Sequence, residues 1–247
     1  MTSIDAGRKQ RRRRPEHRET TRRCESRSNR PDAGASLRRV VAAVLIPIKS
    51  FDLAKGRLRD AMPANERASL ARSMAATVVR AANGLSVWVV CGDAEVAGFA
   101  AKRGANVIWR EPRGLNIAVS EGLDLLRTEG FDRVIVSHAD LPLATDLSWL
   151  ADESAGSDAG GPCVVLVPDR RDDGSNVLVV PTSCDFQFAY GPGSARAHQS
   201  EARRLGLTFS TISDQRLGWD IDVPEDLAVF SGGDFFNPTL PTHGALS

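Results

Sequence analysis

The sequence predicts an α/β fold, a mostly parallel sheet with helices on both faces. Three observations carry that expectation. Short aliphatic runs alternate with helix-length stretches from residue 40 to about residue 230. The runs VVAAVLIPI (40–48) and VIVS (134–137) are apolar without alternation, as strands buried on both faces are. Leu70, Met74 and Val78 recur every four residues, the spacing of one helix face.

Val40–Ile48 is the first strand, followed by a basic loop, KSFDLAKGRLR, from Lys49 to Arg59. Pro63 stands where a helix can begin, and the helix is expected over 64–82. Val87–Cys91 is the second strand, ended by Gly92 and Asp93. A short helix over Ala94–Arg103 and a strand over Val107–Trp109 follow. Glu111–Gly114 turns the chain into a helix marked by Leu115, Val119, Leu123 and Leu126. After the 134–137 strand come a helix over 146–154 and a small polar loop, Ser154–Gly161. Val164–Val167 and Val177–Val180 are strands joined by the turn PDRRDDGS. Residues 176–192 break the strand–helix rhythm and suggest an inserted hairpin. A helix over 195–205, a strand over Phe209–Ile212 and a helix opening at Asp222–Asp226 complete a domain expected at 40–230. Residues 231–247 read as a loose tail.

Composition narrows the function classes. Hydrophobic residues make up 42% of 247, enough for a core and against global disorder. The net charge of +1 hides an asymmetry: residues 1–39 hold 13 Lys and Arg against 5 Asp and Glu, and the other 208 hold 19 against 26. The first 39 residues, with RKQRRRR, read as a disordered basic tail. A start codon assigned too early, with the real one near Val40 or Val41, is the other reading. No aromatic residue is interleaved there, so no nucleic-acid partner is expected. No apolar run nears the roughly 18 residues of a membrane span, and the basic start lacks the apolar stretch of a secretory signal. Cys24, Cys91, Cys163 and Cys184 form no CxxC, which supports neither zinc nor a disulfide framework. A cytoplasmic location is expected.

Four features converge on a phosphate-and-metal site. Asp140 ends the 134–137 strand region, where open α/β sheets bind ligands, and a carboxylate there can hold Mg²⁺ against nucleotide phosphates. The alternative is an Asp that caps the next turn. Lys49, Lys55 and Arg57 can hold a triphosphate or offset charge on leaving pyrophosphate; the alternative is a solvated basic loop. Asp220 and Asp222, in GWDIDVPEDL, alternate along an extended segment, so one of them can join Asp140. Asp222 alone could instead cap the helix after Pro224. Finally, Gly174–Asn176 and the turn YGPGS, Tyr190–Ser194, can bring N–H groups to an anion, with Ser194 just before a helix. An ordinary hairpin turn and N-cap is the alternative. His198, one turn into that helix, can reach the same anion site, whereas His138 reads as a buried, hydrogen-bonded histidine. There is no Walker A motif, no GxGxxG and no Ser/His/Asp set.

The order of IPIKSFDLAKGRL, GLNIAV, SHADLPL, DDGSNVL, YGPGSARAH and DIDVPEDL, over about residues 43–229, resembles the guanylyltransferase of coenzyme F420 biosynthesis. The resemblance implies a single-domain fold of the nucleotide-diphospho-sugar transferase type, GTP and Mg²⁺. It implies an acceptor that is a small phosphorylated three-carbon acid: phosphoenolpyruvate, 2-phospho-L-lactate or 3-phosphoglycerate. The acceptor's phosphate attacks the α-phosphorus of GTP and pyrophosphate leaves. A second enzyme would take the product to the deazaflavin Fo, and a homodimer is expected. Carried over by position, Asp140, Asp220 and Asp222 match metal-binding acids, and Ser175, Gly191 and Ser194 match acceptor-binding positions. Lys49, Lys55 and Arg57 match the basic loop beside the GTP phosphates, with Lys49, Lys55 and Asp140 in the catalytic set. Asn116, in GLN, matches a position near the nucleotide. The chain departs from the family at Ser175, usually Thr, which keeps the hydroxyl. It departs again at Val223, the Thr of DVDTP, which costs a capping hydroxyl but no carboxylate.

Two other readings remain at this level. A nucleotidyltransferase for molybdopterin or a sugar phosphate would ordinarily open with a Gly-rich loop, missing here. A catalytically silent nucleotide-binding protein would have no need of all three acids.

Overall fold

A computed structural model describes residues 40–152 and 163–232. The basic segment 1–39, the loop at 154–161 and residues 233–247 of the expected tail lie outside the described residues. The seven strands are β1 (Ala42–Pro47), β2 (Ser86–Cys91), β3 (Asn106–Trp109), β4 (Arg133–Ser137), β5 (Cys163–Pro168), β6 (Ser175–Pro181) and β7 (Thr208–Thr211). They form one sheet in the order β3-β2-β1-β4-β6-β5-β7. Every pairing is parallel except the two made by β6, which runs against β4 and β5. The helices are α1 (Ala64–Ala81), α2 (Ala94–Ala101), α3 (Leu115–Thr128), α4 (Ser194–Arg204) and α5 (Pro224–Gly232).

Helices cover both faces, as the pattern predicts. Along β1, Ala42, Val44 and Ile46 pack with Ala75 and Val78 of α1 and Val96 and Phe99 of α2. Ala43 and Leu45 point the other way, into Val119, Leu123 and Leu126 of α3 and Ala195 and Ala202 of α4. Leu45, Ile46, Ile135 and Leu178 are fully buried. Each such side chain contributes about 1.5–3 kcal/mol relative to exposure.

Three expectations need correction. The first strand is shorter than Val40–Ile48, because Val40 and Val41 lie exposed before the ladder begins. The helix expected over 146–154 is a single 3-10 turn, Ser148–Ala151. Asp146 Oδ1 accepts both the backbone N–H and the hydroxyl of Ser148, and Leu147 N–H is drawn to the Ala81 carbonyl at 2.7 Å. That turn buries Leu147 and Leu150 three residues apart, which a 3-10 turn satisfies. The inserted hairpin expected at 176–192 is instead the pair β5–β6, and only its second strand falls in that range. Beyond Pro181 the chain leaves the sheet, and the Arg127 guanidinium takes the Thr182 and Cys184 carbonyls. The last helix starts at Pro224, inside the expected opening, and runs to Gly232.

Candidate active site

β1, β2 and β4 end at one rim of the sheet, and β6, being reversed, begins there. Topology therefore brings Lys49, Asp93, Asp140 and Ser175 to one edge from four separate strands. A cavity of about 1240 Å³ opens at that rim, bounded among others by Ile48, Gly92, Asp140, Ser175, Tyr190 and Asp222. A Cβ on Gly92 would collide with the Arg110 carbonyl, so only glycine lets the ends of β2 and β3 meet under the cavity.

One side of the cavity is a charged cluster. Lys55 holds a left-handed backbone, φ 54°, between two 3-10 turns, Phe51–Leu53 and Gly56–Leu58. Its ammonium donates to Asp140 Oδ2 at 2.5 Å and to Asp222 Oδ1 at 3.0 Å, and its side chain is 8% exposed. Arg57 reaches Asp222 Oδ2 at 3.4 Å from the solvent side. Burial pushes the Asp140 carboxyl up, but Lys55 and then His138 outweigh it and hold the group below the usual carboxylate range. Asp220 is the opposite case. Burial, then the like charges of Asp140 and Asp222, push it up to about 6.

The acid-bearing segment is held from behind. Buried Asp226 accepts the Asp222 and Val223 N–H groups at 2.8 and 2.9 Å and pairs with Arg170 and Arg171. The Asn176 side chain donates to Leu217 O at 3.0 Å, and Ile221 N–H reaches Asp140 O at 3.4 Å. Capping at this helix thus comes from Asp226, and the Asp222 carboxylate faces Lys55 and Arg57.

The other side presents hydroxyls, with Asp173 beside them. Ser175 and Ser194 are both buried, their hydroxyls 3.2 Å apart. The Ser194 turn needs Gly193 at φ 73° and Gly191 at φ 136°, backbone angles that glycine tolerates. Three N–H groups around the turn are already taken. Gly193 N–H donates to Asp173 Oδ2 at 2.9 Å, Ala195 N–H to Asp173 O at 3.0 Å and Ser194 N–H to Gly191 O at 3.1 Å. At Ser194 the hydroxyl, and not the backbone N–H, is what this wall offers a ligand.

The geometry therefore places acids and cations on one wall of a single cavity and hydroxyls on another. Residues 42–234 match the family described as guanylyl transferase CofC like. The chain belongs to this guanylyltransferase family. A phosphoenolpyruvate guanylyltransferase of Sphaerobacter thermophilus is 34% identical over 194 residues, covering 76% of this chain and 91% of that one. One of Rubrobacter xylanophilus is 35% identical over 201 residues, covering 78% and 96%. A 2-phospho-L-lactate guanylyltransferase of Methanothermobacter thermautotrophicus is 32% identical over 188 residues, covering 74% and 81%. Among solved structures, a protein of Desulfovibrio desulfuricans assigned to the nucleotide-diphospho-sugar transferases superposes with TM-score 0.63 at 18% identity, covering 80% and 89%. The glucosyl-3-phosphoglycerate synthase of Mycobacterium tuberculosis, solved with Mn²⁺, UDP and phosphoglyceric acid, superposes with TM-score 0.51 at 17% identity, covering 78% and 75%. The nucleotide-diphospho-sugar transferase fold expected from the sequence is the one observed, and the chain is a nucleotidyltransferase.

In this guanylyltransferase, Asp140, Asp220, Asp222, Lys49, Lys55, Arg57, Ser175, Gly191 and Ser194 all border the cavity. Asn116 does not. Its Oδ1 accepts Tyr190 N–H at 2.7 Å, so the side chain is spent on holding the turn that carries Gly191. Lys49 is exposed at the lip and makes no ion pair among the described residues. Among the same residues no three His, Cys, Asp or Glu side chains form a finished metal cage, because the Lys55 ammonium separates the nearest acids. Asp140 Oδ1 and Asp220 Oδ1 nevertheless lie buried without a hydrogen-bond partner, and hard oxygens of this kind suit a divalent cation. His138 is not the buried, hydrogen-bonded histidine expected. β4 ends just before it and its ring turns toward the cavity, 5.3 Å from the Tyr190 ring, with Nε2 unpartnered. Sequence reasoning missed Asp173 and Asp226. Each is an acid among several in DRRDDGS or VPEDL, and only its backbone partners distinguish it. Among the described residues, no helix is long and apolar enough to cross a membrane.

Proposed function

We propose that this guanylyltransferase transfers GMP from GTP to the phosphate of phosphoenolpyruvate, with release of pyrophosphate, in coenzyme F420 biosynthesis. The observation that carries this reading is the division of one cavity into an acid-and-cation wall and a hydroxyl wall. A triphosphate with its metal needs the first, and a small acid needs the second. The names of the Sphaerobacter and Rubrobacter relatives support phosphoenolpyruvate. The name of the Methanothermobacter relative supports the same reaction on 2-phospho-L-lactate as the second reading, with 3-phosphoglycerate as a third candidate.

In this reading Asp140, Asp220 and Asp222 hold Mg²⁺, and the orphan oxygens on the first two are the fit. Bound there, the ion would neutralise charge on the triphosphate. Lys49, Lys55 and Arg57 hold the β- and γ-phosphates and offset charge on the departing pyrophosphate. Lys55 must leave at least one acid to do so. Ser175, Gly191 and Ser194 seat the acceptor. Its phosphate oxygen attacks the α-phosphorus, a new P–O–P link forms, and the bond to pyrophosphate breaks with its electron pair. The attacking oxygen is already anionic, so no general base is required, and the rate comes from alignment and charge neutralisation. The product would pass to the enzyme that transfers it to Fo.

The test is pyrophosphate release from GTP and Mg²⁺ with each of the three acids, followed by coupled transfer to Fo. Release with phosphoenolpyruvate and formation of the Fo adduct are expected. Release only with a sugar phosphate or molybdopterin, or with none of the three acids, would reject the reading.

A further inference from the structure

His198, in α4, is fully buried. Its Nε2 accepts the Ala189 backbone N–H at 3.0 Å, so that nitrogen carries no proton. Tyr190 packs edge-on against the ring at 4.9 Å, with Phe186 at 5.9 Å and Phe188 at 6.3 Å. Burial among these rings, with His138 nearby, pushes the imidazole down to about 4 and keeps it neutral. A neutral imidazole with a bare Nε2 must hold its proton on Nδ1.

That Nδ1 lies 2.9 Å from Ser175 Oγ, so the imidazole donates and the serine accepts. The Ser194 hydroxyl donates to the same oxygen at 3.2 Å. A hydroxyl oxygen has two lone pairs, and both are now engaged. What Ser175 has left to offer is its own O–H, in the wall of the cavity.

We propose that His198 is a positioning and specificity residue that makes Ser175 a pure donor toward the acceptor acid. It holds the Ser175 oxygen from a single tautomer, so the hydroxyl proton points at an acceptor-only group, a carboxylate or phosphate oxygen. A substrate that presents a hydroxyl donor at that point finds no free lone pair. This rests on the acceptor site of the proposed function.

The test uses a complementary pair of variants in the full chain. His198→Gln reaches the Nε2 position and keeps an acceptor for Ala189, but loses the donor to Ser175. His198→Asn has its amide at the Nδ1 position and keeps that donor. The acceptor KM should rise about tenfold in His198→Gln, with GTP KM moving less than about twofold, and return to within about threefold in His198→Asn. In a Ser175→Ala background, His198→Gln should add less than about twofold, because the partner is gone. An unchanged acceptor KM in His198→Gln, or the same penalty in both backgrounds, would overturn the proposal. Nitrogen-15 histidine spectra of the unsubstituted protein give a mutation-free check. His198 should show the Nδ1–H tautomer, and the Nε2–H form would also overturn it. An unsubstituted protein inactive with all three acids would instead reject the proposed function, and the tautomer would still be read.

Discussion

Lys55 and Asp140, 85 residues apart in the chain, meet at 2.5 Å beneath the cavity, and the same ammonium also bridges to Asp222. The lysine thus holds a position between two acids that a divalent cation would also favour. Replacing it leaves the Asp140 carboxylate without its cation partner, while Asp222 keeps Arg57. Lys55→Met should destabilise the metal-free protein by about 3 kcal/mol. Millimolar Mg²⁺ should recover part of that loss. Thermal melts with and without the ion read it; a melting point that does not move would show that the bridge contributes nothing.

Asp140 is the acid that both Lys55 and the chain segment at Ile221 converge on. Asp140→Asn should lower turnover by about 10³-fold while the far-UV circular dichroism stays native. A near-normal rate at saturating Mg²⁺ would remove Asp140 from the metal shell.

Asp220 carries a cost in the metal-free protein. Its folded carboxyl titrates at about 6 against an ordinary 3.8, so it is ionised at pH 7.5 against opposition from burial and two neighbouring acids. Asp220→Asn should therefore stabilise the metal-free protein by about 1–3 kcal/mol at pH 7.5. The gain should shrink as pH falls through 6 and vanish below 3.8, where the carboxyl is neutral in both states. The Mg²⁺-induced rise in melting point should be lost in the same variant. Denaturant unfolding across this range checks the sign, and a destabilised variant at pH 7.5 would contradict it.

Ser194 acts on the acceptor site through its side chain, whose hydroxyl donates to Ser175 Oγ, because its backbone N–H is spent on Gly191. Ser194→Ala should raise the acceptor KM about fivefold and leave GTP KM nearly unchanged. If the GTP value moves instead, the two subsites are assigned the wrong way round.

His198 makes stability depend on acidity. The folded imidazole titrates at about 4 and the unfolded one near 6.5, so above 6.5 the group contributes its full share. As pH falls from 6.5 toward 4, the unfolded chain takes up a proton that the folded chain refuses, and stability drops by about 3 kcal/mol over the window. Urea unfolding at pH 7 and 4.5, compared with His198→Gln, isolates this contribution. Equal losses in both proteins would show that His198 is not its source.

Much of the site was legible as a set of residues and little of it as a set of partners. YGPGS reads as an anion turn because glycine and serine suit one, yet Asp173, Gly191 and Asn116 take the N–H groups of Gly193, Ser194 and Tyr190. GLN reads as a nucleotide contact, yet Asn116 braces Tyr190. Both cases have one cause: a motif names the groups present, and a competing acid or carbonyl brought in by folding decides which of them are already engaged.

The amino-acid sequence by itself determined the succession of strands and helices, the two apolar faces of the sheet and the inventory of acids, cations and hydroxyls. These follow from local period and residue type, which a short stretch of chain carries within itself. Only the tertiary structure decided that β6 reverses between β4 and β5, bringing Ser175 to the rim where Asp140 emerges. It alone decided that Lys55 closes on Asp140 and Asp222, and that His198 faces Ser175. Those relations depend on strand order and on contacts between distant segments, which no local period encodes.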